Sequence, residues 1–320
     1  MPADGPKRVF INEVSTRDGF QMELRWIETD EKVRFIDDLS LSGVAKIEVS
    51  SFVSWKAVPA LADASDVFAR IRRRAGVIYV ALVPNLRGAE RAAAAEVDEM
   101  NLVMSSSETH NRANMRMTCA QSLGNFRDIT TGFASKTITL NGTIATAFGC
   151  PFEGAQDPAR VLGFAERYLE IGMAGITLAD TTGMANPRQV EDLVAAILRR
   201  FPELPLTLHF HNTRGMGLAN VVAAYDAGAR SFDGSLGGIG GCPFAPGATG
   251  NVCTEDFVHM FECMGVDTGT QLDALVALSR RLPAMVGHDV SGQVAKAGAV
   301  WNLHPSPLLS PAGCDTAAHP

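Results

Sequence analysis

Short apolar runs rich in β-branched residues alternate along the chain with longer segments in which apolar positions recur at helical spacing. The short runs predict eight strands, at residues 9–14, 46–50, 77–83, 99–104, 137–145, 175–179, 205–211 and 230–235. The longer segments predict helices at residues 30–42, 62–74, 85–95, 158–171, 187–201, 218–227 and 255–264. Alternation of strands with helices is typical of α/β proteins built on a parallel sheet.

The number and spacing of these elements favour a closed (β/α)8 barrel, the TIM barrel, which usually takes about 250 residues. The alternative is an open doubly wound sheet, which shows the same alternation. A dinucleotide-binding sheet would carry its glycine-rich turn after the first strand, whereas the glycine-rich run here, residues 237–241, follows the last strand. We therefore predict a barrel catalytic domain over residues 1–286.

The last part of the chain is predicted to add helical structure and then a proline-rich tail, from residue 270 onwards. Pro305, Pro307 and Pro311 make a regular element in that tail unfavourable. Residues 287–320 are accordingly predicted to form a short C-terminal helical extension of the barrel.

Composition narrows the class of protein. Apolar residues make up 46% of the 320 residues, charged residues make up 20%, and the formal net charge is −7, which is typical of globular proteins. The acidic balance argues against a general nucleic-acid partner, and the apolar runs are shorter than the roughly 18 residues of a membrane span. Residues 1–7 show no apolar signal segment, and the six cysteines are not closely paired. We expect a cytoplasmic protein with reduced thiols.

Polar side chains gather where the predicted strands end, which is the end of a barrel that carries chemistry. In chain order they are Arg17, Asp18, Gln21, Glu48, Ser51, Asn85, Asp180, Thr181, His209, His211, Cys242 and Asn251. Closure of the eight strands around one mouth would bring these groups together although they are far apart in sequence.

The sharpest local pattern is His209-Phe210-His211 at the end of the seventh strand. Alternate residues of a strand face the same side, so both imidazoles are predicted to point one way and Phe210 the other. Two imidazoles and the Asp18 carboxylate suit a divalent metal ion with open positions. The alternatives are a hydrogen-bonded core histidine beside an exposed one, and a surface turn in which Asp18 pairs with Arg17.

Residues 237–251 hold too many glycines for a packing element, so they predict a loop that approaches a ligand and moves. Cys242 lies near the middle of this loop and is a candidate nucleophile or proton donor. The alternative is a plain flexible loop. The other cysteines are predicted to be small buried apolar residues; they are Cys119, Cys150, Cys253, Cys263 and Cys314.

Several segments resemble the 3-hydroxy-3-methylglutaryl-CoA lyase family, which belongs to the metal-dependent lyase and Claisen-condensing barrels. The resemblance runs from about Val9 to Val286. It rests on Asn12-Glu-Val-Ser-Thr-Arg-Asp-Gly-Phe-Gln21, Ile47-Glu-Val-Ser-Ser-Phe52, Leu208-His-Phe-His-Asn-Thr213 and residues 237–251, with Gly149-Cys-Pro-Phe-Glu153 and Asp180-Thr-Thr-Gly183. The Gly-Gly-Cys-Pro loop is the most lyase-specific of these motifs.

The resemblance implies a TIM barrel that uses Mg²⁺ or Mn²⁺ to cleave a 3-hydroxyacyl-CoA, with acetyl-CoA and acetoacetate as the usual products. It implies that Arg17 faces the thioester carbonyl, that Asp18 or His209 is the base, and that Cys242 is the acid–base group of a mobile loop. The implied metal ligands are Asp18, His209, His211 and Asn251. The implied supporting residues are Glu13, Gln21, Glu48 and Asp180.

Two places depart from the family pattern. Asn141-Gly-Thr143 stands where these lyases usually carry Arg-Gly-Tyr on the fifth strand, and Phe20 replaces a leucine after the Arg-Asp-Gly turn. The metal site and the thiol are unchanged, but an arginine and a phenol near the mouth are lost. We therefore expect an altered acyl pocket, and a 3-hydroxyacyl-CoA other than hydroxymethylglutaryl-CoA stays open as the better substrate.

Two further functions remain open beside the lyase. One is a Claisen-condensing acyltransferase that joins acetyl-CoA to a 2-oxo acid, and the other is a non-catalytic barrel that binds a metal or a ligand. Synthases of this kind usually carry a further C-terminal region, whereas this sequence continues for only about 35 residues after the predicted barrel. This difference and the Cys242 loop both favour the lyase. For the lyase we expect an acyl-CoA substrate and a homo-oligomer, either a dimer or a tetramer.

Overall fold

Eight parallel strands close into a barrel in the computed structural model, which describes residues 8–133, 137–241 and 250–303. The barrel strands are β1 (Phe10–Glu13), β2 (Lys46–Ser51), β3 (Ile78–Leu82), β4 (Glu99–Ser105), β5 (Thr139–Ala145), β6 (Gly175–Asp180), β7 (Leu206–Phe210) and β8 (Ser231–Gly234). Each predicted strand overlaps one of them. The closed barrel is therefore confirmed, and the open sheet is not what forms.

Closure comes from pairing of the first strand with the last. Around the barrel each strand pairs with its neighbours in chain order, and β1 pairs with both β2 and β8. The β1–β8 register runs from Phe10 opposite Ser231 to Glu13 opposite Gly234. Since all eight strands are parallel, their carboxyl ends lie at one mouth.

Helices cover the outside of the barrel. They are α1 (Thr29–Leu39), α2 (Ala64–Arg70), α3 (Leu86–Ala94), α4 (Glu108–Met115), α5 (Cys119–Phe133), α6 (Pro158–Glu170), α7 (Pro187–Arg200), α8 (Gly217–Asp226), α9 (Thr254–Cys263), α10 (Leu272–Ser279), α11 (Leu282–Val286) and α12 (Gln293–Ala297). The short strands Gly149–Cys150 and Gly154–Ala155 form an antiparallel hairpin in the segment between β5 and α6.

Local sequence explains where several helices begin. The Asn186 side chain accepts from the Gln189 amide, and Pro187 occupies the first turn of α7, which is a favourable N-terminus. Asp157 caps α6 in the same way by accepting from the Ala159 amide. Asn85, predicted to lie among the mouth residues, is an exposed cap of α3 that accepts from Gly88.

The interior of the barrel is polar near the mouth, while the apolar core lies between the strands and the helices. Buried rings such as Tyr168 and Phe126 meet edge to face, with centroids 5.8 Å apart. Phe210 packs outwards beside Phe148, so His209 faces the inside of the barrel, as the alternation of side chains predicts. This division leaves the interior free for hydrogen-bonding groups.

The helices after β8 pack on the barrel domain. The Asp256 carboxylate of α9 accepts from the amides of Gln293 and Val294 at the start of α12, so the predicted extension is joined to the barrel by buried hydrogen bonds. The boundary between residues 286 and 287 stays a prediction, and the three tail prolines lie outside the described residues. Among the helices that the structure describes, none is both long enough and apolar enough to cross a membrane.

Candidate active site

The Arg-Asp-Gly motif lies on a wide helical turn, Ser15–Gly19, directly after β1. The amides of Asp18 and Gly19 both donate to the Val14 carbonyl, at 2.7 and 3.4 Å. Such π-type turns are frequent at functional sites. Glycine lets this turn approach the Ile239 side chain closely, since a Cβ on Gly19 would lie 2.6 Å from it. The turn carries the Arg17 and Asp18 side chains, both buried, across the mouth.

Asp18, His209 and His211 form a candidate metal group whose ligand atoms lie within 4.8 Å of one another. The Asp18 Oδ2 atom is 3.9 Å from His209 Nε2 and 3.8 Å from His211 Nε2. The two Nε2 atoms are 3.1 Å apart. All three side chains are buried at the carboxyl ends of β1 and β7, so the predicted convergence of these residues is observed.

Asn251 lies beside this group and offers a further oxygen. It forms an isolated backbone bridge with His211, and its Nδ2 atom donates to Asp18 Oδ2 at 2.8 Å and to the Ile239 carbonyl at 3.0 Å. The Oδ1 atom of Asn251 is buried without a hydrogen-bond donor in the described part of the chain. Because a buried oxygen without a donor is costly, this donor set fits a divalent cation: two imidazole nitrogens, a carboxylate and an amide oxygen.

Charges around the group keep Asp18 ionised. Burial raises the pKa of Asp18, but Arg17 and the two histidines outweigh burial and lower that pKa to about 2. Burial, and then the neighbouring His209, lower the pKa of His211 to about 4. At neutral pH the site therefore presents a carboxylate and a neutral His211 imidazole, which are the ligand forms that bind a metal ion.

Arg17 is held between two carboxylates. Its Nε atom donates to Glu48 Oε2 at 2.6 Å, and its Nη1 atom donates to Asp18 Oδ1 at 2.5 Å. Gln21 Nε2 donates to the same Asp18 oxygen at 2.8 Å. The predicted neighbours Glu48 and Gln21 thus adjoin the catalytic candidates, and the guanidinium has one fixed orientation.

A chain of amides and hydroxyls extends from Glu48 across the barrel. Asn101 Nδ2 donates to Glu48 Oε1 at 3.1 Å, and Asn101 Oδ1 accepts from Thr143 Oγ1 at 2.7 Å and from Asn141 Nδ2 at 3.1 Å. Asn141 also donates to Thr177. Asn141 and Thr143, two of the three residues that depart from the family pattern, therefore belong to a buried network that ends at Arg17.

Glu13 and Asp180 lie near the mouth but outside the metal group. The buried Glu13 carboxylate accepts from the amides of Ser15 and Leu236 and from the Thr254 hydroxyl; burial raises its pKa to about 6. Asp180 Oδ1 accepts from the amides of residues 184 and 185, and burial likewise raises the pKa of Asp180 to about 6. Both carboxylates hold backbone at the mouth, which agrees with a supporting role.

Cys242 lies outside the described residues, but both ends of its loop border the metal group. Gly240 has a φ of 105°, and a Cβ there would lie 2.6 Å from Asn251 Nδ2 and 3.0 Å from the Asp18 carbonyl oxygen. Gly250 has a φ of 94° and directly precedes Asn251. Glycine is thus needed where the loop leaves and re-enters the site.

The remaining cysteines mostly follow the prediction. Cys119, Cys150 and Cys253 are buried. The prediction for Cys263 is wrong, because this residue ends α9 on the solvent side and its side chain is exposed. Cys314 lies outside the described residues.

Two site residues are not among those predicted from the sequence, namely Asn101 in β4 and Asp233 in β8. Asp233 Oδ2 lies 3.3 Å from His209 Nδ1. The only sequence indication was a polar residue inside each predicted strand, at a position that shares the inward face. Such positions become informative only when the facing strands are known.

Comparisons with known proteins agree with this geometry. The HMGL-like family model matches residues 8–282. Hydroxymethylglutaryl-CoA (HMG-CoA) lyase YngG of Bacillus subtilis is 44% identical over 282 residues, which cover 88% of this chain and 94% of that protein. The (R)-citramalyl-CoA lyase of Chloroflexus aurantiacus is also 44% identical, over 303 residues, 92% of this chain and 96% of that protein.

A solved structure is similar over nearly the whole chain. It is an HMG-CoA lyase from Acinetobacter baumannii in complex with coenzyme A and 3-methylmalate, with 55% identity and a TM-score of 0.91. The alignment covers 96% of this chain and all of that one. Family model, sequence relatives and barrel geometry therefore lead to one conclusion: this chain belongs to the HMGL-like family.

Proposed function

We propose that this chain is a divalent-metal-dependent carbon–carbon lyase that cleaves HMG-CoA into acetyl-CoA and acetoacetate. The observation that carries the proposal is the convergence of Arg17 with Asp18, His209 and His211 at the barrel mouth. The relatives at 38–44% identity over most of the chain are lyases of acyl-CoA thioesters by name. A Claisen-condensing function has no comparable support among these relatives.

The proposed metal ligands are Asp18, His209, His211 and Asn251. Mg²⁺ or Mn²⁺ is the proposed ion, and the carboxylate and amide oxygens of this set are donors that suit these ions. A cation bound there supplies Lewis-acid polarisation of the C3 hydroxyl and of the far carboxylate of the substrate.

Asp18 is the proposed proton acceptor for the C3 hydroxyl. His209 has Nδ1 beside Asp233 and Nε2 turned towards the metal group, so neither of its nitrogens is free. Asp18 is ionised, with a pKa of about 2, and it keeps lone pairs on both oxygens. The ionised carboxylate is the proposed base at this position, and His209 is the alternative.

Arg17 stabilises the charge that develops when the C2–C3 bond breaks. The electron pair of that bond passes to the thioester and forms an enolate, and the other fragment leaves as a ketone. A guanidinium already fixed by Glu48 and Asp18 needs no reorganisation to meet the enolate oxygen. The Cys242 thiol then gives its proton to C2, which completes acetyl-CoA.

The identity of the acyl group in the substrate is the more specific part of the proposal. Asn141 and Thr143 are engaged by Asn101 and Thr177, so their departure from the family pattern lies within the barrel network. The relatives named HMG-CoA lyase, which are 38–44% identical over most of the chain, support HMG-CoA as the substrate. We also propose that the protein acts in the cytoplasm. We propose in addition that it forms a homodimer or a homotetramer, and light scattering of the purified protein tests this oligomeric state.

The test is acetyl-CoA release from a panel of thioesters by the protein loaded with Mg²⁺ or Mn²⁺. HMG-CoA is expected to be cleaved faster than (R)-citramalyl-CoA, and faster cleavage of (R)-citramalyl-CoA would overturn the assignment of substrate. Cys242→Ser is expected to abolish turnover while Mn²⁺ binding persists. A barrel that only binds ligands would cleave none of the thioesters.

A further inference from the structure

Asp233 lies in β8, at the level of the metal group but outside it. The strand register places Asn12 of β1 opposite Asp233, and Asp233 opposite His209 of β7. Three adjacent parallel strands thus present these side chains in one row. Since residues at one level of a barrel face the same interior, the row leads from the β1–β8 junction to a metal-group histidine.

The contacts in this row are specific. The Asp233 Oδ2 atom is 3.3 Å from His209 Nδ1, and Asn12 Nδ2 donates to Asp233 Oδ1 at 2.9 Å. Asn12 Nδ2 also reaches the Ser231 hydroxyl at 3.1 Å. The Asp233 side chain is only 13% exposed, and each of its two oxygens faces one of these partners.

The chemistry of the pair determines which nitrogen of His209 can offer a lone pair to the metal ion. Carboxylate oxygens accept hydrogen bonds, so the contact with Asp233 Oδ2 favours the tautomer in which His209 Nδ1 carries the hydrogen and Nε2 keeps its lone pair. That lone pair faces Asp18 and His211. In contrast, His211 Nδ1 is buried without a partner among the described residues. Of the two imidazoles, His209 is therefore the one whose Nδ1 atom contacts a carboxylate.

We propose that Asp233 is a positioning residue that fixes the tautomer and ring orientation of His209 so that Nε2 meets the metal ion, with Asn12 holding Asp233 in place. The inference rests on the metal site of the proposed function and deepens it. Carboxylates that hold a ligating histidine in this way typically change metal affinity by about 10- to 100-fold when they are removed.

The test measures Mn²⁺ binding to the metal-free full chain by titration calorimetry and electron paramagnetic resonance, without substrate. Asp233→Ala is expected to weaken Mn²⁺ binding by about 10- to 100-fold. Asp233→Asn keeps an acceptor for His209, and Asn12 can turn its unpartnered Oδ1 atom towards the new amide. The conservative variant is therefore expected to retain most of the affinity.

Controls separate positioning from folding. Glu99→Gln changes another buried barrel carboxylate, one that pairs with Lys46, and is expected to leave Mn²⁺ affinity unchanged. Circular dichroism of the metal-free variants reports their stability. If Asp233→Ala does not fold, Asp233→Leu, which also removes the acceptor while keeping a side chain branched at Cγ, replaces it.

Three outcomes decide the matter. Weak binding by the alanine or leucine variant with retained binding by Asp233→Asn supports the role of Asp233. Wild-type affinity in all folded Asp233 variants overturns it, even where stability falls. Absence of Mn²⁺ binding by the wild-type chain would refute the metal site of the proposed function and the role of Asp233 with it. Mn²⁺ binding without thioester cleavage would contradict the proposed lyase activity but not the role of Asp233.

Discussion

Asp18 divides its two carboxylate oxygens between two tasks. Its Oδ1 atom accepts from Arg17 and Gln21, while its Oδ2 atom faces Asn251 and the two histidines. One residue thereby joins the guanidinium to the metal group at fixed geometry. This arrangement explains why arginine and aspartate are adjacent on one turn rather than on separate strands.

Substitution of Arg17 tests the enolate-stabilising role at the residue scale. Arg17→Gln is expected to lower kcat by about 10²- to 10³-fold, the usual loss for one transition-state donor, with a smaller effect on KM. Asn101→Leu is expected to lower kcat less, because Asn101 touches Arg17 only through Glu48. Steady-state kinetics of both variants provide the measurement.

Arg200→Gln serves as the control for loss of a guanidinium, since Arg200 pairs with Glu166 at the surface and surface pairs contribute little. Its kcat is expected to equal that of the wild type. A kcat for Arg17→Gln that matches this control would show that the guanidinium does not act in the transition state.

The residues of the metal group could be predicted from sequence, whereas their supporting residues could not. The His-x-His alternation and the position of Asp18 after a strand define three groups at one mouth. Asp233 and Asn101 lie in no comparable sequence pattern. Strands that are buried on both faces show no alternation of polar and apolar residues from which the inward face can be predicted. Their partners are set by register between strands, which is a property of the closed barrel.

At the scale of elements, two buried carboxylates hold the start of the glycine-rich loop. Glu13 accepts from the Leu236 amide, and Glu255 accepts from the Gly237 amide at 3.1 Å and from the Ser279 hydroxyl at 2.6 Å. Amides that would otherwise be unpaired beneath the loop are thereby satisfied. The loop that carries Cys242 therefore begins from a fixed point.

Glu255 should make stability depend on pH. Burial raises its pKa from 4.5 to about 8. Because the folded-state pKa is the higher one, the protonated form is favoured in the fold, and stability falls as pH rises between these values. Glu255→Gln is expected to remove this fall, which is on the order of 1 kcal/mol per pH unit. Urea unfolding of both proteins from pH 5 to pH 8 measures the difference.

The sign of the difference is the decisive result. The free energy of unfolding of the variant, minus that of the wild type, should increase with pH. Glu166→Gln, which changes a carboxylate paired at the surface, should show no such trend. A difference that stays constant or shrinks would mean that Glu255 is not protonated in the fold at neutral pH.

The helices between β4 and β5 show where element prediction failed. Residues 108–133 show no pattern that predicts a helix, yet α4 and α5 lie in this segment. α4 buries only His110 and Asn111, so it lacks the apolar stripe by which amphipathic helices are recognised. Its start depends instead on the Ser107 hydroxyl, which accepts from the His110 amide.

At the scale of the whole molecule, the barrel was predictable because eight strand–helix repeats fit one closed sheet. The strand order and the β1–β8 pairing follow from the preference of parallel strands for right-handed crossovers between neighbours. What the pattern did not show is the polar interior. Barrel interiors are usually filled with branched apolar residues, whereas here Glu48, Asn101 and Asp233 occupy that space.

Metal binding should stabilise the entire fold, since the proposed ligands come from the turn after β1, the end of β7 and the segment before α9. Mn²⁺ at about 100 times its Kd is expected to add about 2.7 kcal/mol to the free energy of unfolding. Urea unfolding with Mn²⁺, and again after chelation, measures this gain. His211→Ala is expected to lose it, and an equal gain in that variant would place the ion elsewhere.

The barrel seam has a consequence for biosynthesis. The hydrogen bond between Asp18 and Asn251 joins residues 233 positions apart, and it lies where the first and last strands meet. A growing polypeptide on the ribosome therefore holds the first proposed ligand long before the last one exists. If all four proposed ligands are needed, ion loading follows translation of residue 251, and a truncated nascent product would be unable to capture the metal.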